Sequence, residues 1–363
     1  MRDGSRRAAG VLLSGVTKKY GDFTALHALD LQIREGEFLT LLGPSGCGKT
    51  TTLRLIAGFI LPTSGTIYLG DDDVTGVAPQ HREIGMVFQD YALFPHMTVR
   101  ENIAFGLQER RYGKARIAER VDSLLELIRL PDMGDRYPVE VSGGQRQRIA
   151  VARAVAYPPR VLLMDEPLGA LDLKLRETMQ TEIRRIQREL SITTVYVTHD
   201  QTEAMNISDR IAVMNAGVIE QLGTAEEIYG RPASRFVAEF VGQINLLPGR
   251  VVGEDGDWVV LDAAGIRVRA PAQGSLRPDT RVSVGIRPER FTACAQQTVP
   301  AGMNALDGRI AGRTFAGNLL HVQVDIGDGT RVVLEARPQD AIGEEGSIIR
   351  LGWRPDDTIV LTR

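Results

Sequence analysis

Glu37-Phe38-Leu39-Thr40-Leu41-Leu42-Gly43-Pro44-Ser45-Gly46-Cys47-Gly48-Lys49-Thr50 joins an apolar run of strand length to a glycine-rich loop, and residues 51–57 beyond it can form a helix. The last eight residues fit G-x-x-x-x-G-K-[ST], in which the glycines let backbone N–H groups converge on phosphate oxygens. The helix that follows turns its positive end to the same point. Gly43, Pro44, Ser45, Gly46, Cys47, Gly48, Lys49, Thr50 and Thr51 are therefore the candidate nucleotide contacts. Lys49 is expected to reach the β- and γ-phosphates of ATP, and the Thr50 hydroxyl to ligate Mg2+.

Two further apolar runs end in chemistry. Residues 160–164 lead into Asp165 and Glu166, and residues 192–198 lead into His199. Open α/β sheets place their ligands beyond the carboxyl ends of such strands. Asp165 is positioned to hold Mg2+, Glu166 to act as general base on the attacking water, and His199 to orient the γ-phosphate and that water.

From Val11 to about Gly242, β-rich runs alternate with amphipathic helical stretches, the pattern of an α/β domain with a largely parallel sheet. Within it, residues of about 90–155 read as a helical insertion, with Ile117, Val121, Leu124, Leu125 and Ile128 on one face. Residues 243–363 follow another pattern, in which short runs such as Asp257-Trp258-Val259-Val260-Leu261 are set between glycines, and this predicts a small all-β barrel or sandwich. Residues 1–10 read as a disordered tail, and no internal repeat is evident.

Composition narrows the function classes. The chain has 363 residues, of which 43% are hydrophobic and 25% charged, enough for two globular domains with their own cores. A net charge of -3 argues against a general nucleic-acid binder. No stretch approaches the ~20 apolar residues of a membrane span. Met1 to Gly10 is basic and lacks an apolar core, so it is not read as a secretory signal. Cys47 and Cys294 lie far apart with no metal-ligand spacing, which suits a reducing compartment.

Ser142-Gly143-Gly144-Gln145 resembles the signature motif of the ABC ATPases, a second anion-binding helix start built from a serine and two glycines. The resemblance covers nearly the whole chain. It implies that Ser142, Gly143, Gly144 and Gln145 cap the γ-phosphate held by another protomer, in a head-to-tail homodimer. It also implies that Tyr20 stacks on adenine, that Gln89 touches Mg2+ and water, and that Asp172, in Leu171-Asp172, links the two sites across the dimer. The metal set implied is Thr50, Gln89 and Asp165; the catalytic set is Glu166, His199, Gln89 and Lys49. Val141 stands where Leu is usual in the family and Gly169 where Ser is common.

The chain is similar to the ATPase subunits of bacterial ABC importers. Gly285-Ile286-Arg287-Pro288-Glu289 is similar to their TOBE domain, an OB-like β module. The resemblance implies separate permease subunits, an extracytoplasmic substrate-binding protein, and a peripheral place on the cytoplasmic face of the inner membrane. Residues 91–99 either line a groove for a permease helix or form an ordinary buried patch. The stretch Phe240-Val241-Gly242-Gln243-Ile244-Asn245-Leu246-Leu247-Pro248-Gly249 is closest to the polyamine branch, with iron(III), phosphonate and sugar importers as alternatives. A soluble ABC ATPase that works without a permease, or a regulatory binding module, is the reading from another class. Cys47 admits two readings, a thiolate activated by the helix end or a small residue that fits the turn.

Overall fold

The computed structural model describes residues 8–169, 171–272, 276–294, 299–340 and 342–362. Strand β1 (Val11–Tyr20) buries Val11, Leu13 and Val16 and exposes Leu12 and Ser14, the alternation of a half-covered strand. It pairs antiparallel with β2 (Phe23–Ile33). By contrast β3 (Phe38–Leu42) is buried at every position, as a parallel strand covered on both faces must be. It runs through the phosphate loop into α1 (Lys49–Ala57).

Strands β4 (Ser64–Leu69) and β5 (Asp72–Asp73) complete a four-stranded sheet of order β2-β1-β4-β5. After β6 (Ile84–Val87) come the helices of the insertion, α2 (Val99–Glu109), α3 (Lys114–Leu127) and α4 (Gly143–Ala156). Then follow β7 (Val161–Asp165), α5 (Leu173–Leu190), β8 (Thr193–Thr198), α6 (Gln201–Ile207), β9 (Arg210–Asn215) and β10 (Val218–Gly223). The second sheet has the order β10-β9-β3-β8-β7-β6. All its pairs are parallel except β10–β9, so β3, β8 and β7 are neighbours that end on one side. That adjacency sets the phosphate loop, Asp165-Glu166 and His199 along a single sheet edge.

Residues 1–7 of the expected tail lie outside the described residues. Residues 8–10 do not fray as expected: the Ala9 N–H donates to the Arg160 carbonyl at 3.1 Å, and Gly70 N–H to the Gly10 carbonyl at 2.8 Å. Backbone pairing at the start of β1 ties them down.

The chain forms two compact units that part between Ala225 and Glu226, whereas composition placed the boundary after residue 242. The second unit carries α7 (Ala225–Gly230), across whose start the boundary falls, and α8 (Arg235–Phe240). The reason is packing: Ala238 of α8 shares a small apolar cluster with Ile359 and Leu361.

The β region of this unit corrects the expectation that there is no repeat. Its strands are β11 (Asn245–Asp255), β12 (Trp258–Ala263), β13 (Ile266–Pro271), β14 (Arg281–Ile286) and β15 (Thr292–Ala293), then β16 (Asn304–Phe315), β17 (Leu320–Asp325), β18 (Arg331–Ala336), β19 (Ile348–Trp353) and β20 (Thr358–Leu361). The sheets, β13-β12-β11-β14-β20 and β15-β19-β16-β17-β18, are the same arrangement twice, and each half gives its last strand to the other half's sheet. One apolar core, including Val284, Val322, Leu351 and Trp353, joins the two. The two long strands share Asn-x-Leu-x-Gly-Arg-[Val/Ile]-x-Gly, from Asn245 and from Asn304, so the signal was present in the sequence. The glycines are required: a Cβ on Gly249 would lie 2.8 Å from Val284 Cγ2, and one on Gly308 2.4 Å from Val324 Cγ1. The two asparagines are equivalent too. Asn245 brackets Val333 of the second half with one accepted and one donated bond, and Asn304 does the same to Arg269 of the first.

Candidate nucleotide site

Gly46 and Gly48 have φ of 81° and 107°, a conformation that side-chain-bearing residues rarely adopt. Space demands glycine as well, because a Cβ on Gly48 would lie 2.7 Å from Leu26 Cδ2 and one on Gly43 2.3 Å from the Met214 carbonyl oxygen. Gly48 is the N-cap of α1 and brings no capping side chain, so the first N–H groups of the helix keep their donor capacity. The buried Lys49 ammonium folds over the loop and donates to the carbonyls of Gly43 at 2.7 Å and Pro44 at 2.9 Å. Ser45 and Gly46 form the exposed crest, and Thr50 and Thr51 are half-buried at the start of the helix.

Cys47 takes the second of its two readings. It is 3% exposed and belongs to the core that includes Leu41, Leu53 and Met214. Burial pushes its thiol up, outweighing the lowering effect of Lys49, whose Nζ is 3.8 Å from the sulfur. The helix end therefore does not produce an activated thiolate here, because desolvation is the larger effect.

Thr50 Oγ1 donates to Asp165 Oδ1 at 3.3 Å, which brings two of the expected metal ligands together. Burial raises the Asp165 carboxyl above its ordinary range, and the Thr50 hydrogen bond partly offsets it. Glu166 leaves the strand with φ of 43°, in the left-handed region where a residue of this kind is strained by about 1–3 kcal/mol. Its N–H donates to the Val197 carbonyl at 3.0 Å, and its own carbonyl accepts from Gly169 N–H at 3.2 Å. The carboxylate then meets the exposed His199, with Oε2 3.2 Å from Nδ1. Gln89 is exposed and close to this turn; its Nε2 lies 3.8 Å from where a Cβ on Gly169 would stand.

Tyr20 closes the β1–β2 hairpin opposite Phe23 and is 49% exposed, with Lys18 Nζ 4.9 Å from the ring centre. Its open face can stack on a planar base.

Ser142 is the N-cap of α4: its Oγ accepts from Gln145 N–H at 3.4 Å, while Gln145 Oε1 accepts from Ser142 N–H at 2.8 Å. Leu175 packs directly onto Gly144, where a Cβ would lie 2.8 Å from its Cδ1, and Leu171 lies close to Gly143, where a Cβ would lie 3.3 Å from its Cδ2. Asp172 caps α5, accepting from Leu175 N–H at 3.0 Å. Ala170, beside it, lies outside the described residues. Among the described residues, none of the hydrogen bonds at Ser142, Gly143, Gly144 or Gln145 reaches the phosphate loop of the same chain.

The apolar residues after Gln89 divide between the two readings. Tyr91 and Val99 are buried in the core; Ala92, Pro95 and His96 are exposed. Asn102 holds the segment in shape, accepting from Phe94 N–H at 2.8 Å and donating to the carbonyls of Phe94, Met97 and Thr98. Sequence reasoning missed the polar network behind His199, made by Tyr196, Thr198, Asp200 and Glu203 with Arg176. Its one local signal was Asp200-x-x-Glu203, the pattern of a helix start.

Residues 26–169 match the family model described as ABC transporter, and residues 284–361 that of the TOBE domain. The chain is 46% identical to the spermidine/putrescine import ATP-binding protein PotA of Thermobifida fusca, over 99% of this chain and 95% of that protein. It is 48% identical to the protein of the same name from Marinobacter nauticus, over 88% and 86%. A solved dimeric structure of a bacterial ABC transporter cassette matches with a TM-score of 0.53 at 33% identity, covering 59% of this chain and 98% of the cassette.

Proposed function

The chain belongs to the ABC transporter family as one of its ATPases, and from that premise we propose that it is the ATP-binding subunit of an importer of polyamines. The observation that carries the ATPase part of this reading is the Glu166–His199 pair, set on the sheet edge that also carries the phosphate loop. The names of its relatives support polyamines over iron(III), phosphonate or sugar as cargo.

In the proposed mechanism backbone N–H groups from Ser45 to Thr50 and the Lys49 ammonium bind the phosphates, and Tyr20 stacks on the adenine. Thr50 and Asp165 offer hard oxygen donors 3.3 Å apart, which suits Mg2+. Thr50 and Asp165, with Gln89, are the residues that would hold the ion. Mg2+ held there would supply neutralisation of the phosphate charge. The Glu166 carboxylate orients the attacking water and accepts its proton, while His199, at 3.2 Å, holds that carboxylate in place and faces the γ-phosphate. Positioning and electrostatics do most of the work, since phosphoryl transfer asks for little covalent help.

Ser142, Gly143, Gly144 and Gln145 serve the phosphate loop of a second copy, so two chains pair head to tail around two ATP molecules. The dimeric state of the matching cassette supports dimerisation. No helix among the described residues is long and apolar enough to cross a membrane, which fits work through separate permease subunits at the cytoplasmic face of the membrane, supplied by an extracytoplasmic binding protein. The test is uptake of labelled spermidine and putrescine into proteoliposomes that hold this subunit, its permease and its binding protein. ATP-dependent uptake of either supports the reading. Uptake of another substrate class alone would overturn the cargo assignment, and ATP hydrolysis without a membrane partner's stimulation would favour the soluble ATPase.

A further inference from the structure

Arg176 lies on the first turns of α5, four residues after Asp172. Its guanidinium reaches two separate loops. Nη2 donates to the Leu171 carbonyl at 3.1 Å, in the segment that runs on from Glu166. Nη1 donates to Asp200 Oδ2 at 2.8 Å, and Nε stands 3.7 Å from Glu203 Oε1.

The far side of this contact is a closed polar network around His199. Asp200 uses its other oxygen, Oδ1, to cap α6, accepting from Glu203 N–H at 3.1 Å. Glu203 is 3% exposed and accepts through Oε2 from Tyr196 Oη at 2.8 Å and Thr198 Oγ1 at 2.7 Å. Thr198 Oγ1 accepts in turn from Asp200 N–H at 3.0 Å. The residues before and after His199 are thus both held by a network with two carboxylates, and Arg176 is the cation set against them. Burial pushes the Glu203 carboxyl up, with Arg176 acting in the opposite direction.

On the near side, Leu171 N–H donates to the Leu168 carbonyl and Gly169 N–H to the Glu166 carbonyl. Two turn hydrogen bonds thus tie Gly169 back to Glu166, and Leu171, whose carbonyl Arg176 grips, back to Leu168. Glu166 and His199 meet at their tips, and one planar fork joins the loops behind them.

We propose that Arg176 is a positioning residue for hydrolysis, joining the Leu171-Asp172 segment to the His199 loop so that the two loops move as one. This rests on the ATPase reading of the site and adds to it a physical link between the segment expected to face the second copy and the histidine expected to face the γ-phosphate. A guanidinium suits the task because it makes two directed bonds at once; an ammonium keeps the charge but not the fork.

The test uses the full chain with Arg176→Lys and Asp200→Asn, the second of which keeps an oxygen to cap α6 and loses the ion pair. Steady-state hydrolysis, affinity for a fluorescent ATP analogue and thermal unfolding are measured for each, alone and combined with His199→Ala. Each folded variant is expected to lose about tenfold in kcat with KM within about twofold, and to lose nothing further on the His199→Ala background. Wild-type kcat in either folded variant overturns the proposal, as does a full additional loss in the combined variants. So does failure of both to fold, which would assign Arg176 to stability. If the unsubstituted protein bound and hydrolysed no ATP, the fault would lie with the site reading rather than with Arg176.

Discussion

His199 Nδ1 lies 3.2 Å from Glu166 Oε2, although the two are 33 positions apart in the chain. The contact exists because β7 and β8 are parallel neighbours and Glu166 breaks out of its strand at positive φ. Glu166 is thereby aimed away from Asp165, which stays with Thr50. Adjacent carboxylates are given separate partners by one backbone kink.

Glu166→Gln keeps the shape of the side chain and removes the proposed base. Hydrolysis is expected to fall about a hundredfold or more while nucleotide affinity persists, and size-exclusion chromatography with Mg-ATP should show a dimer. Only monomer under those conditions would argue against closure around ATP.

Lys49→Ala removes the buried ammonium that lies across the phosphate loop. Affinity for a fluorescent ATP analogue should drop about tenfold or more, a loss typical of a desolvated charge-assisted contact. Unchanged affinity would remove Lys49 from the phosphate contacts.

Asp165→Asn should make the nucleotide-free protein more stable. Burial raises the Asp165 carboxyl, so the folded protein holds that proton more tightly than the unfolded chain does. Stability contributed by this group is therefore full at low pH and is lost as pH rises through the raised value. At neutral pH the asparagine variant should melt at a higher temperature than the unsubstituted protein, the gap closing as pH falls into the carboxylate range. The same variant should gain less from Mg-ATP in thermal melts.

Cys47 should react slowly with iodoacetamide in the folded protein, more slowly than the half-exposed Cys294. Peptide mapping of the labelled protein measures both rates. Rapid labelling of Cys47 would contradict its burial.

Asn245→Ala leaves the Ile286 carbonyl and both backbone groups of Val333 without their side-chain partner. A loss of about 2–4 kcal/mol is expected in denaturant unfolding of the second unit, with nucleotide affinity unchanged. Asn304→Ala, its counterpart in the other half, should behave in the same way.

Much of this could be seen without coordinates. The eight-residue loop and the strand before it could be read because glycine φ values and apolar runs are properties of contiguous residues. The capping pair Ser142 and Gln145 was legible for the same reason, although the sequence did not show that Gly144 makes room for Leu175. The duplicated β unit was legible but missed, because the shared pattern from Asn245 and Asn304 is spread over glycines and alternating apolar positions.

By itself, then, the sequence determined the chemistry: a phosphate cradle, an acid pair and a signature helix start, each set by local backbone geometry and spacing. Tertiary structure decided the partners. It set Glu166 against His199, joined Arg176 to both loops behind them, exchanged β15 and β20 between the halves, and buried Cys47 deeply enough to suppress its thiolate. Those outcomes depend on which distant segments pack together and how much water they exclude, and no run of neighbouring residues contains that information.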